Sequence, residues 1–310
     1  MNEYLLGLYE KSMPHALTIK EKLAYTKASG FDFLEVSIDE SYEKLARLRW
    51  NKAQRREVIN AVWDTGVPIG SMCLSGHRKY PLGSPDANTR RESLDIMARA
   101  IDLACNWGMR IIQLAGYDVY YEQGNERTQE LFRQNLTKCV EMAVKAGVIL
   151  AFETMETPFM NTVGKAMRYV TEINSPYLQV YPDLGNLTNA ALIYHTKAVA
   201  SNNVVSDGNT VDNVKITVSS CVAADLETGR GHIAALHLKE TKQGVYRDVS
   251  YGTGHVDFAS GVNAARKLGV GRFVGEFWDN GDYQAQIAHA NKFLRKFLDC
   301  VGRDVYIAPL

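Results

Sequence analysis

Eight short apolar runs alternate with longer segments of helical periodicity, and this alternation constrains the fold more than any other feature of the sequence. The runs are almost continuously apolar, which is typical of parallel strands covered on both faces. They are Tyr4–Tyr9, Phe33–Ile38, Val67–Leu74, Ile111–Ala115, Val148–Thr154, Leu178–Pro182, Ile233–Leu238 and Phe273–Trp278. The amphipathic segments between them are Ile19–Ser29, Lys52–Thr65, Asn88–Trp107, Glu126–Ala146, Val163–Ile173, Phe258–Lys267 and Tyr283–Leu298. Glycines stand where helix C-termini are expected, at Gly30, Gly66, Gly108 and Gly147.

The alternation predicts a single-domain α/β fold, a (β/α)8 TIM barrel that spans residues 1–310. A doubly wound open sheet is the main alternative, but no GxGxxG motif follows the first strand and no GxxxxGK[ST] motif occurs. The interval between the sixth and seventh strands is longer than one helix requires, and it contains the polar, helix-poor stretch SNNVVSDGNTVDN at 201–213. We therefore expect an insertion at about 190–228 that serves as a lid or an oligomer contact.

Composition argues against several classes of function. The chain has 35 basic and 35 acidic residues and no basic cluster, which argues against a nucleic-acid partner. Its apolar runs are far shorter than the roughly 18 residues of a membrane span, so no membrane partner is expected. The five cysteines are widely spaced without a CxxC motif, and the N-terminal residues do not resemble a signal peptide. These features favour reduced thiols and a cytoplasmic protein.

Each of the last four predicted strands ends in a side chain that can bind a metal ion. These residues are Glu153, Asp183, His237 and Glu276. The carboxyl ends of barrel strands meet around the active site, so three carboxylates and one imidazole are expected in one place. Buried carboxylates repel one another unless a cation lies between them. The pattern therefore predicts one divalent metal ion, either Mn²⁺, Mg²⁺, Co²⁺ or Zn²⁺.

Eight segments, in order along the chain, carry a resemblance to a known family. They are GLYEKSMP, FDFLEVSIDE, CLSGHRKYPLGS, AFETMETPFMN, YPDLGNL, AALHLKET, YRDVSYGTGHVDF and VGEFW. These segments resemble the L-ribulose-5-phosphate 3-epimerase family of the xylose-isomerase-like barrel superfamily. The resemblance implies that the four strand-end residues hold one metal ion and that Glu153 and Glu276 also act as acid and base.

The same resemblance implies the reaction. Members of the family interconvert L-ribulose 5-phosphate and L-xylulose 5-phosphate in pentose and ascorbate catabolism. A proton leaves C3 and returns to the opposite face through a metal-stabilised enediolate. The resemblance also implies a homodimer or a larger homo-oligomer.

Basic residues in two loops are the expected substrate contacts. His77 and Arg78 follow the third strand, where a phosphate or a terminal hydroxyl is the expected partner. Arg247 follows the seventh strand, and its planar guanidinium can bind sugar oxygens or a phosphate. Gly252 and Gly254 come soon after it and are expected to leave backbone amides free to approach an anion.

Three further charged residues allow two interpretations each. Glu156 lies three residues after the fifth-strand glutamate and either accepts a sugar hydroxyl or is a solvated carboxylate. Lys239 contacts substrate or forms an ion pair with a site carboxylate. Glu35, in the second strand, either binds a hydroxyl or orients a ligand.

Other functions stay open on sequence grounds. A hexulose-6-phosphate isomerase, another sugar-phosphate isomerase or a free-ketose 3-epimerase would use the same metal chemistry, although the His77–Arg78 pair favours a phosphorylated substrate. A metal-dependent DNA phosphodiesterase of the same superfamily would need more histidines at strand ends than His237 alone. A sugar-binding regulator without activity would be expected to lack one of the four ligands, and all four are present.

Overall fold

The computed structural model of the chain describes residues 4–201 and 211–300, with eight parallel strands at the centre. The strands are β1 (Leu5–Tyr9), β2 (Phe33–Ile38), β3 (Ile69–Leu74), β4 (Ile111–Ala115), β5 (Ile149–Glu153), β6 (Leu178–Val180), β7 (Leu236–Leu238) and β8 (Arg272–Gly275). Neighbours in sequence pair from β1 to β6, β7 pairs with β8, and β8 pairs with β1. The parallel bridges Val180–Ile233 and Asp183–His237 join the two remaining edges. The sheet is a closed barrel, so the predicted (β/α)8 fold is confirmed.

Helices follow the strands around the barrel. In the described ranges they are α1 (Ile19–Ala28), α2 (Tyr42–Arg47), α3 (Lys52–Thr65), α4 (Ala87–Trp107), α5 (Glu126–Ala146), α6 (Val163–Ile173), α7 (Leu184–Ser201), α8 (Val211–Glu227), α9 (Phe258–Lys267) and α10 (Tyr283–Leu298). Two 3₁₀ turns, Glu10–Ser12 and Gly76–Arg78, follow β1 and β3. All seven predicted helices are present. In the part of the chain that the structure describes, no helix is both long enough and apolar enough to span a membrane.

Three of the expected glycines end their helices in the left-handed conformation. Gly66, Gly108 and Gly147 have φ values of 70°, 78° and 65° and cap α3, α4 and α5. Gly30 has a φ of 75° and comes directly after the C-cap residue Ser29 of α1. A side chain is disfavoured at such angles, which is why glycine predicts these ends correctly.

The long connection between β6 and β7 consists of two helices where the structure describes it. α7 and α8 pack against each other, and α8 also packs against α6 and α9 in the outer ring. The Asp225 carboxylate of α8 accepts hydrogen bonds from the backbone N–H groups of Val163 and Gly164, at 2.8 and 3.1 Å, and so caps α6. The expected helix-poor stretch at 201–213 is wrong at 201, which ends α7, and at 211–213, which begin α8, while 202–210 lie outside the described residues.

One aromatic ring fills the amino-terminal end of the barrel. Phe33 of β2 is 1% exposed and lies between Gly7 of β1 and Gly70 of β3. A Cβ atom on either glycine would come within 2.3 Å of the ring, so neither position accepts a side chain. Side chains alternate along a strand, so Glu35 and Ser37 point to the same interior side as Phe33, nearer the carboxyl end.

Candidate active site

The four strand-end residues converge at the carboxyl end of the barrel. Glu153 ends β5, Asp183 directly precedes α7, His237 lies in β7 and Glu276 follows β8. One ligand atom from each lies within 4.8 Å of the others, and all four side chains are buried. Within the described ranges, no other group of three or more histidine, cysteine or acidic side chains could hold a metal ion. The structure thus brings together every residue that the sequence predicts as a metal ligand.

Asp183 is fixed by the start of α7. Its backbone N–H donates to the hydroxyl of Thr154 at 3.0 Å, and its Oδ1 accepts from the backbone N–H of Asn186 at 2.8 Å, as a helix-capping carboxylate does. Its other oxygen, Oδ2, lies 2.6 Å from the ammonium of Lys239. The carboxylate therefore has one oxygen held by the helix and one directed into the site.

His237 is oriented by Glu35, which lies inside the barrel. Its Nε2 lies 2.6 Å from Oε1 of Glu35. Its Nδ1 lies 3.4 Å from Oε1 of Glu153 and 3.4 Å from Oε2 of Glu276. The ring packs edge-on against Tyr181, with the two centroids 4.9 Å apart. The Nδ1 atom therefore faces the carboxylates that the metal site would use.

Burial shifts the carboxyl groups of Glu153 and Asp183 toward their neutral forms. Burial raises the pKa of Glu153 above its ordinary value. It also raises the pKa of Asp183, to about 8, although the ammonium of Lys239 opposes this shift. The same carboxylates raise the pKa of Lys239 against the effect of burial, so the lysine is a cation. These pKa shifts reflect the electrostatic free energy needed to keep buried carboxylates close together with too little positive charge between them.

Glu276 and His237 are shifted toward their charged forms. Burial would raise the pKa of Glu276, but the positive charges of Lys239 and His237 hold it well below its ordinary value. Burial also opposes the imidazolium of His237, but the carboxylates of Glu35 and Glu276 raise its pKa well above the ordinary value. The site therefore surrounds its carboxylates with cationic partners, as expected where negative groups must share a dry space.

The donor set fits a divalent cation. Oδ2 of Asp183 and Oε2 of Glu276 are buried, and neither accepts a hydrogen bond of normal geometry. Together with Glu153 and the Nδ1 of His237, they offer three carboxylates and one imidazole nitrogen. Oxygen-rich sets with one imidazole suit Mn²⁺, Co²⁺, Zn²⁺ and Mg²⁺. These four residues could hold one such ion.

A cavity of about 420 Å³ opens above the four residues. Glu153 and Glu276 lie on its wall together with four basic side chains, which are the buried Lys239 and the more exposed Lys11, Arg78 and Arg247. This volume lies within the usual range for small-molecule sites. The site therefore combines buried acidic groups with cationic groups that are more exposed, an arrangement suited to a polar ligand with one anionic end.

Aromatic rings hold the two arginines. The Arg78 guanidinium carbon lies 4.6 Å from the ring centroid of Tyr120, and that of Arg247 lies 5.3 Å from the ring centroid of Trp278. Nε of Arg78 is buried and has no hydrogen-bond partner among the residues that the structure describes. Stacking on an aromatic face restrains a guanidinium but leaves its in-plane donors available, so both arginines can still bind an anion.

The structure separates the predicted substrate contacts into two groups. Arg78, Glu156 and Arg247 line the cavity, and Glu156 accepts a hydrogen bond from the hydroxyl of Tyr120 at 3.2 Å. His77 is not among the lining residues. Its buried ring lies with Nε2 3.0 Å from the backbone carbonyl of Ser93 in α4, and burial lowers its pKa to about 4. We therefore correct the expectation that His77 contacts substrate, because its ring is turned toward a helix.

The glycine-containing loop after β7 closes around a carboxylate of the protein itself. Glu240 is buried, and its Oε2 accepts from the backbone N–H of Gly252 at 2.9 Å, while its Oε1 accepts from those of Thr241 and Val256 at 3.1 Å each. The expectation that the Gly252 amide is free for a substrate anion is therefore wrong. Gly254 is required for a different reason, since a Cβ there would lie 2.3 Å from the Thr241 carbonyl oxygen.

Several lining residues were missed by the sequence reasoning. Lys11, Tyr120 and Trp278 follow β1, β4 and β8 within a few residues. Lys11 is held 2.6 Å from the Asp39 carboxylate. The same rule that identifies strand-end ligands would have found them if it had been applied to polar and aromatic residues after every strand.

Comparison with known proteins places this architecture among sugar epimerases. The profile of the xylose isomerase-like TIM-barrel family matches residues 23–297. L-ribulose-5-phosphate 3-epimerase UlaE of Escherichia coli is 41% identical over 293 residues, which cover 94% of this chain and 93% of that protein. The protein of the same name in Escherichia fergusonii is 40% identical over the same shares. Among solved structures, L-ribulose 3-epimerase has a TM-score of 0.71 at 17% identity, covering 99% of this chain and 100% of its own, which is a likeness of fold.

Proposed function

This chain belongs to the xylose isomerase-like TIM-barrel family, and from that membership we propose that it is a metal-dependent 3-epimerase that interconverts L-ribulose 5-phosphate and L-xylulose 5-phosphate. Its close relatives are named epimerases, and the chain is accordingly an isomerase that acts on carbohydrates. One observation carries the proposal: the ligand atoms of Glu153, Asp183, His237 and Glu276 lie within 4.8 Å of one another at a sugar-sized cavity.

In the proposed enzyme, these four side chains hold one divalent ion. When bound, such an ion supplies Lewis acidity that stabilises negative charge on the oxygens of the sugar. Asp183 is suited to a fixed ligand role because α7 and Thr154 restrain it on one side. His237 is suited to the same role because Glu35 restrains it from below.

Glu153 and Glu276 move the proton. A C3 proton lies next to the ketone at C2, so one carboxylate can remove it as a base while the other returns a proton to the opposite face of the carbon. The two glutamates come from β5 and β8, on different sides of the barrel mouth, and both line the cavity. Inversion at one carbon requires an acid–base pair on opposite faces of that carbon, whereas one base is enough to transfer a proton between two carbons.

The basic residues of the cavity support a phosphorylated substrate. Arg78 and Arg247 present guanidinium groups that can bind phosphate oxygens in pairs, and Lys11 adds a positive charge to the same part of the cavity, while Lys239 is paired with the site carboxylates. A free ketose has no anionic group, so one cation or none would suffice for it. We propose that the phosphate binds Arg78 and Arg247 and that Glu156 accepts a sugar hydroxyl.

Deuterium exchange tests the reaction. The protein is stripped of metal with a chelator, reloaded with Mn²⁺ and incubated with L-ribulose 5-phosphate in D₂O, while NMR follows each carbon. We expect label at C3 together with the epimer, and loss of both after chelation or in Glu153→Gln and Glu276→Gln. Label at C1 would identify an aldose–ketose isomerase instead, and near-normal exchange in both variants would refute the acid–base pair.

The homodimer or larger homo-oligomer remains part of the proposal. Light scattering on the purified protein measures its mass in solution directly. A mass of one chain, 34.6 kDa, would contradict this part without affecting the reaction.

A further inference from the structure

Glu35 is a buried carboxylate inside the barrel that the acid–base chemistry does not use. It has no exposed surface and is not among the residues that line the cavity. Its Oε2 accepts hydrogen bonds from the hydroxyls of Ser71 at 2.6 Å and Tyr181 at 2.8 Å. Its Oε1 lies 2.6 Å from Nε2 of His237. A carboxylate fixed by two hydroxyls on one oxygen has its other oxygen held in place for the histidine.

We propose that Glu35 is a positioning residue for the metal site, which fixes the tautomer and the orientation of His237. This inference rests on the metal site of the proposed function. An imidazole can bind a metal ion only through a nitrogen that carries no proton. Glu35 holds the proton on Nε2, so that in the neutral imidazole that metal binding requires, Nδ1 presents its lone pair to the space between Glu153 and Glu276, each 3.4 Å away.

The other polar contact of the ring does not select a nitrogen. The amide nitrogen of Gln113 lies 3.2 Å from both Nδ1 and Nε2 of His237, so it contacts the two nitrogens equally. Glu35 contacts Nε2 alone. Among the described residues, the two ring nitrogens of His237 therefore differ because Glu35 lies beside Nε2, whereas Glu153 and Glu276 lie beside Nδ1.

Metal affinity tests this inference without any use of activity. Wild type and Glu35→Gln are stripped and titrated with Mn²⁺, and free ion is measured by electron paramagnetic resonance. We expect Glu35→Gln to bind about 10- to 100-fold more weakly, the usual effect of losing a carboxylate that orients a metal-binding histidine. Tyr181→Phe is the matched control: it removes one donor to Glu35 but leaves the contact with His237, so its loss should be distinctly smaller.

The melting temperature of the metal-free proteins separates positioning from a merely structural role. The proposal is supported if Glu35→Gln melts near the wild-type temperature but binds Mn²⁺ weakly. It is overturned if Glu35→Gln is folded and its affinity for Mn²⁺ falls by less than about threefold. If the wild-type protein binds no Mn²⁺, the four residues are not a metal site and the proposed function fails as well.

A second measurement applies if Glu35→Gln does not fold. Two-bond ¹H–¹⁵N spectra of the wild-type protein loaded with Zn²⁺ report which ring nitrogen of His237 carries the proton. A proton on Nε2 supports the proposal. A proton on Nδ1 overturns it, because the metal would then be bound through the nitrogen that faces Glu35.

Discussion

Replacing Glu10 with glutamine should destabilise the barrel more than most single substitutions, because Glu10 is the anion of a buried charge cluster. Its carboxylate has no exposed surface. Oε1 accepts from Lys22 at 3.0 Å and from Lys44, and Arg47 binds both oxygens at 2.7 and 2.8 Å. Oε2 also accepts from the backbone N–H of Ser37 at 2.8 Å. One side chain thus links the turn after β1 to α1, β2 and α2.

The magnitude follows from the charges left behind. In Glu10→Gln, two buried lysines and the partly buried Arg47 lose their carboxylate, and within residues 4–201 and 211–300 no second carboxylate pairs with Lys22, Lys44 or Arg47. Breaking a buried ion pair from one side costs about 3–5 kcal/mol. At about 2–4 °C of melting temperature per kcal/mol for a domain somewhat smaller than this one, we expect a fall on the order of 10 °C.

A double variant distinguishes unpaired charge from lost packing. Glu10→Gln combined with Lys44→Met removes one of the surplus cations and should recover part of the loss, whereas Lys44→Met in the wild-type background should be destabilising. Calorimetry and urea unfolding followed by circular dichroism measure both. A loss below about 1 kcal/mol in Glu10→Gln, within the range of exposed pairs, would refute the reasoning.

The same cluster predicts a pH dependence. Burial alone would raise the pKa of Glu10, but Arg47, Lys44 and Lys22 hold it well below its ordinary value of 4.5. A carboxylate with a lowered pKa in the folded state contributes stability above its unfolded pKa and loses that contribution as pH falls through the folded value. The contribution of the Glu10 carboxylate to the difference in stability between wild type and Glu10→Gln should therefore shrink as the pH falls below about 4.5. A difference that grows on acidification would contradict this assignment.

Three further substitutions test other parts of the structure. Arg78→Ala should raise KM for a pentulose 5-phosphate at least tenfold, about 1.4 kcal/mol, and change KM for the free sugar much less; equal effects on both would argue against phosphate binding. Gly7→Ala should lower the free energy of unfolding by about 1–3 kcal/mol because its Cβ meets the Phe33 ring, and Phe33→Leu should restore part of the loss in urea unfolding. Glu240→Gln should increase proteolytic cleavage of the 244–256 loop and leave Mn²⁺ affinity nearly unchanged, whereas cleavage at the wild-type rate would show that the carboxylate does not hold the loop.

Periodicity was sufficient to predict the barrel, because nearly every strand is a continuous apolar run and most helices span several turns. Periodicity did not predict elements that are short or elements whose polar residues are typical of a loop. α2 has six residues, too few for a helical repeat to be visible, and it is held by the Ser41 cap and by Lys44 and Arg47 on Glu10. The polar residues at the start of α8 predict a loop, whereas the structure has a helix there that packs against α6 and α9.

The site was predictable to the extent that strand ends determine it. The metal-competent residues at the ends of the last four strands converge because the barrel closes and so brings the carboxyl ends of its strands around one axis. The position of a residue after a strand does not determine in which direction its side chain points within a turn. Gly76–Arg78 forms a 3₁₀ turn that sends His77 toward α4 and Arg78 into the cavity, so two neighbours with the same predicted role have different surroundings.

The charge distribution of the cavity gives the proposed substrate one orientation. Glu153, Glu276 and Lys239 are buried, Arg78 and Lys11 are half-buried, and Arg247 is exposed, so the outer part of the cavity is cationic. A ketose phosphate bound the other way would leave the guanidinium groups of Arg78 and Arg247 without an anionic partner and would place its phosphate where the sugar oxygens are needed. With the phosphate at the arginines, carbons near the other end reach the glutamates. The proposed enzyme therefore selects C3 by its distance along the chain from the phosphate, so a ketose phosphate with one more carbon between these groups should bind at the arginines and react poorly.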